Sequence, residues 1–158
     1  MYLNALEFLE EEREAWRPFE ALAGIPDERL DQPVEGAHGW SARDLIAHLV
    51  AWQIWALDVA KDLAVGETSP TIARLDALWD ERGDAFNDDI QAEWRALPLD
   101  EVRERFATVP GELRGYLTVV PESRWVKHAT HLGTFTAETI EHYADHVADL
   151  ETILDAVG

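Results

Sequence analysis

Apolar residues recur every three to four positions along most of the chain, and runs that alternate apolar and polar residues between turns are missing. This periodicity predicts helices and leaves little from which to build a sheet. A first helix is expected over about 2–22, with Leu3, Leu6, Leu9 or Phe8, Arg13, Trp16 and Phe19 near one face. Pro18 should kink or divide it. The stretch GIPDERLDQPVEGAHG, rich in proline and glycine, is a connector. A second helix follows over about 41–65, where Ser41 is a good N-cap and Asp44 supplies the acidic partner of a capping box. Leu45, His48, Leu49, Trp52, Trp55, Ala56, Val59 and Leu63 give it a broad apolar face. A third helical region spans about 71–96 with a break expected near Gly83, and a fourth spans about 98–120. In the fourth, Val102, Phe106, Leu113, Leu117 and Val120 face inward and Pro110 with Gly111 should bend the axis. VKHATHLGTF reads as another connector, and the last helix opens at Thr134 or Thr136 and runs to about 156. These segments predict an all-α four-helix bundle, one domain over residues 1–158.

Placed on a wheel, the last helix puts Ile140, Tyr143, Val147, Leu150, Leu154 and Val157 at the centre of its apolar stripe. His142, His146 and Ile153 fall together at the edge, and Glu141, Asp145, Ala148, Glu151 and Asp155 lie opposite. Residues four apart on a helix have Cβ atoms about 5–6 Å from each other, so both imidazoles can reach one ion. The ordinary alternative is a pair of half-exposed histidines bonded to Glu138, Asp145 or Asp149. The chain has H-Y-x-x-H, without the glutamate of the H-E-x-x-H zinc proteases, which excludes that reaction. His48 adds weight to the metal reading. It sits mid-face on the second helix, where leucine or alanine is the usual choice, and in a bundle that face must meet the last helix. Three imidazoles from two helices leave coordination positions open for water or substrate, as catalytic metals require.

WSARDLIAHLVAW, followed near the end by TIEHYADHVADL, resembles the DinB-like metal-binding four-helix bundles. LDALWDERGDAFNDDI, LPLDEVRERFATVPGELRGYL and VPESRW are similar to their ClbS/DfsB branch, so the resemblance covers nearly the whole chain. It implies a divalent ion, nickel or zinc, held by His48, His142 and His146. It also implies a homodimer, and chemistry on a small molecule: a metal-dependent hydrolase, or a transferase using a low-molecular-weight thiol, in stress or detoxification. The alternative it implies is a metal-independent, ClbS-like binding or protective protein resting on a tryptophan-lined pocket and Tyr143. Asp44, Asp145 and Asp149 are the candidates for a general base, with no choice among them.

Composition narrows the partners. With 32 acidic residues against 13 basic ones the formal net charge is −19, which repels nucleic acid and anionic membranes. Apolar residues make up 47% of the 158, enough for a real core. Cysteine is absent, excluding disulfides, thiolate zinc sites and a cysteine nucleophile. MYLNALEFLEEEREAW lacks a basic stretch before an apolar run, so a cytoplasmic protein without a signal peptide is expected. His128, His131 and His38 read as exposed loop residues. Of the tryptophans, Trp52 and Trp55 are placed to line a pocket beside His48, and the rest read as core or dimer interface. Phosphate loops, serine elbows and basic aromatic patches are missing, which sets aside phosphoryl transfer and nucleic-acid recognition.

Overall fold

In the computed structural model, which describes residues 1–158, the chain is helical, and its one strand-like contact is an isolated bridge between Val34 and Trp40. Helix α1 (Ala5–Trp16) starts at Asn4, whose side chain accepts a hydrogen bond from the Glu7 amide. Pro18 divides it as expected, and the chain continues over Arg17–Gly24 as a 3-10 helix. The inward face of α1 differs from the predicted one. Phe8, Glu12 and Trp16 are buried, whereas Leu3 and Leu6 are exposed. A carboxylate in the buried stripe disguised that face. Arg114 donates two hydrogen bonds to Glu12, at 2.5 and 3.2 Å, and the Tyr143 hydroxyl donates a third at 2.9 Å.

After the short helix α2 (Asp27–Leu30) comes α3 (Ala42–Val65), opened by the predicted capping box. The Ser41 hydroxyl accepts from the Asp44 amide at 3.1 Å and the Asp44 carboxylate accepts from the Ser41 amide at 3.1 Å. Helices α4 (Pro70–Arg82) and α5 (Ala85–Arg95) are separated where expected. Gly83 turns the chain with φ 54° and ψ −135°, a conformation that a Cβ makes costly. Helix α6 (Leu99–Val119) runs unbroken through Pro110, and its five predicted inward residues are buried, counting Val120 just past its end.

The segment expected as a connector forms helix α7 (Ala129–Glu138). His128 caps it by accepting the His131 amide at 3.2 Å, a role outside the usual N-cap residue set. Thr139, at φ −125° and ψ −96°, breaks the rod, and α8 (Ile140–Val157) follows.

Helix α3 packs against α6 and α8, and α1 packs against both of those in turn. The ring α1–α6–α3–α8 is the four-helix bundle; α4, α5 and α7 pack on α3 from outside it. One core cluster joins Trp16, Phe19, Leu45, Leu49, Leu150 and Ile153, and a second joins Phe8, Leu63, Leu113, Leu117, Trp125 and Phe135. Because α3 contributes to both, nearly its whole circumference is buried. Helix α8 is turned relative to its predicted stripe. Ile153 is fully buried and Val147 is 37% exposed, which swings His142, His146 and Asp149 inward. No helix is long and apolar enough to cross a membrane.

Candidate metal centre

The capping box starts α3 at a fixed register, and His48 follows one turn after Asp44 on the buried side. His142 and His146 come from α8, one turn apart. Each of the three residues presents a ring nitrogen, and these nitrogens all lie within 4.8 Å of one another. The closest pair, His48 Nε2 and His142 Nε2, is 2.8 Å apart. The rings meet edge to face, with centroids 4.6 Å apart for His48–His142, 4.7 Å for His48–His146 and 4.9 Å for His142–His146. Burial, and behind it the neighbouring imidazoles, lowers His48 from 6.5 to about 3; burial and His146 lower His142 to about 4. Both rings are therefore neutral with a lone pair to give, the state in which histidine ligates a metal.

The surroundings fix the third ring. His146 Nδ1 lies 2.8 Å from Asp149 Oδ2, which holds a proton on that nitrogen and leaves Nε2 free. A carboxylate behind a ligating histidine sets its tautomer and raises its basicity. Asp149 is buried, and its other oxygen lies 3.2 Å from His38 Nε2. His38, expected as a bystander in a loop, thus braces Asp149 from the turn that closes at the Val34–Trp40 bridge. The same turn lays Trp40 against His146, with centroids 5.7 Å apart and planes 27° from parallel. The buried Nδ1 atoms of His48 and His142 find no hydrogen-bond partner. Three imidazoles, one oriented by a carboxylate, form a donor set that fits a borderline divalent ion.

Of the three expected base candidates, one stands at the histidines, and its two oxygens face His146 and His38. The Asp44 carboxylate is occupied by its cap and by Arg95, which donates to it at 2.9 and 3.0 Å. Asp145 is exposed on the far side of α8. Asp149 alone stands at the histidines. Tyr143, between them in sequence, points the other way: its hydroxyl donates to Glu12 and accepts from Gln53 Nε2 at 2.8 Å. It neither lines the site nor bonds a backbone carbonyl. His131 is buried, contrary to expectation, with Nδ1 2.6 Å from the Arg124 carbonyl, and lies outside the cluster.

His48 and His142 line one wall of a cavity of about 650 Å³. Trp52 lines it as predicted, its indole N–H held by Asn87 at 3.0 Å; Trp55 does not, packing instead on Phe86. Sequence reasoning missed the opposite wall. Leu75, Asp76, Trp79 and Asp80 of α4 face the cavity, and their i, i+4 pairing was the available signal. Glu138 also lines it, at the end of α7. Burial pushes its carboxyl from 4.5 up to about 8, so it keeps its proton at neutral pH. Glu138 lies four positions before His142, but the break at Thr139 interrupts the helical spacing between them.

The profile of the family described as mycothiol maleylpyruvate isomerase N-terminal domain matches residues 9–151. No curated protein and no solved structure matches the chain.

Proposed function

The chain belongs to the mycothiol maleylpyruvate isomerase N-terminal domain family, a family of DinB-like bundles, and on that premise we propose that it is a divalent-metal protein acting with a small-molecule thiol. His48, His142 and His146 hold nickel or zinc, and the reaction is a thiol-dependent transfer or rearrangement on a small molecule. The observation that carries this is the convergence of three ring nitrogens within 4.8 Å at the wall of a cavity large enough for substrate. When bound, the ion supplies Lewis acidity, lowering the pKa of a thiol or water at an open position.

The residues around it supply the rest. Asp149 and Trp40 hold His146 in one orientation. Glu138, protonated at neutral pH, is a general acid facing the same space and can give its proton to a group that gains negative charge. The absence of cysteine agrees with a thiol that arrives as cosubstrate. The hydrolase reading shares this site and differs only in whether water or thiol attacks. In the metal-independent alternative Tyr143 has no part, because its hydroxyl is committed to Glu12 and Gln53.

Metal content measured by inductively coupled plasma mass spectrometry on untagged protein tests the proposal. Near-stoichiometric nickel or zinc is expected in the wild type and should vanish in His48→Ala and His146→Ala. A wild type that takes up neither ion on reconstitution, with both variants folded by circular dichroism, overturns it.

A further inference from the structure

The cavity is chemically lopsided. One wall presents the imidazoles of His48 and His142, whereas the facing wall on α4 presents Asp76 and Asp80, one turn apart, with Trp79 between them. Neither aspartate is paired with a basic side chain, and no lysine or arginine lines the cavity. Trp79 is 42% exposed, large for a tryptophan, and its ring stands edge-on to Trp52 at 6.0 Å between centroids. Two unpaired carboxylates beside an aromatic face form a receptor for an organic cation. The space is not a surface cluster alone: His48, only 6% exposed and with Nδ1 unpartnered, borders it from inside the bundle.

We propose that this site takes a substrate bearing an ammonium or guanidinium group, held at Asp76, Trp79 and Asp80, with its reacting end at the three imidazoles. The proposal rests on the reading of this cavity as the substrate site. A dianionic acid such as the maleylpyruvate of the family's name meets two like charges at the α4 wall and no lysine or arginine in the lining. An amine on an apolar body instead meets opposite charge there and an aromatic face beside it. The protein's net charge of −19 adds a field that draws cations in and depletes anions.

Binding of three probes of one shape tests this: benzylammonium, benzyl alcohol and benzoate, by calorimetry at low salt, on protein as purified and after chelation. Benzylammonium should bind about tenfold more tightly than benzyl alcohol, and benzoate should not saturate. Asp76→Asn with Asp80→Asn should abolish the preference. A control removing the same charge from the exposed far side of α8, Glu151→Gln with Asp155→Asn, should keep it within about twofold. Loss of the preference in the control, its survival in the α4 variant, tighter benzoate binding, or no saturable benzylammonium binding each overturns the proposal. Metal content of the same preparations separates the two readings. Cation preference without bound nickel or zinc refutes the metal centre alone, and metal without cation preference refutes the substrate class alone.

Discussion

Replacing Glu138 by glutamine should invert the alkaline side of the metal-free protein's stability profile. The side chain keeps its shape and loses its ionisation. Glu138 is held protonated in the fold up to about 8, against 4.5 for an ordinary glutamate. Its contribution is full below 4.5 and is lost as pH rises through 8, at up to about 1.4 kcal/mol per pH unit. His48 and His142 act with the opposite sign. Their ordinary value is 6.5, and the folded rings stay neutral down to about 3 and about 4. Their contribution is present above 6.5 and is lost as pH falls below it. These three groups together place maximum stability near pH 6.5. From there to about pH 8.5 the Glu138 contribution integrates to about 2 kcal/mol, and to about 1 once water in the cavity screens the carboxylate. Urea unfolding of chelated wild type and Glu138→Gln, followed by circular dichroism across this range, measures it. The wild type should decline while the variant holds level or gains. Parallel profiles would refute the reasoning, because they would mean that Glu138 ionises as freely in the fold as in the unfolded chain.

Three further outcomes follow from the contacts described. Asp149→Asn should weaken metal affinity about tenfold to a hundredfold by releasing the His146 ring, read by competition with a chromogenic chelator, while metal stoichiometry at saturation is unchanged. Glu12→Ala leaves Arg114 and Tyr143 without their shared acceptor inside the bundle and should cost about 3–5 kcal/mol, visible as a fall in urea midpoint. Tyr143→Phe, which removes one hydroxyl from the same network, should cost only about 1–2 kcal/mol.

The sequence was most legible where local chemistry and burial agree. Ser41 and Asp44 fixed the start of α3 to the residue, and Gly83 marked the turn between α4 and α5. His48 was legible because an imidazole in an apolar stripe contradicts the pattern around it, and His142 and His146 because they stand four apart at the edge of theirs. Three features escaped, each for a physical reason. Helix α7 has a histidine where a serine or aspartate would announce a cap. The inner face of α1 includes Glu12, whose partner Arg114 lies 102 residues away, so its burial leaves no local trace. Glu138 was legible only as a hydrogen-bond partner for the histidines, and its burial in the cavity wall, across the break at Thr139, is not written in hydrophobic periodicity.

The division of labour around α8 carries an evolutionary consequence. Its anchor to the bundle is Tyr143 with Leu150 and Ile153, all in one core cluster, with Tyr143 bonded to Glu12 of α1 and Gln53 of α3 and packed on Trp16 and Phe19. Its imidazoles, His142 and His146, turn toward His48 of α3, and His142 lines the cavity. Exchange of His142 for another metal-binding side chain leaves the anchor untouched, and repacking around Leu150 leaves the donors in place. Donor set and scaffold can therefore drift separately under selection. A lineage of such bundles can rebuild this site without passing through an unfolded ancestor.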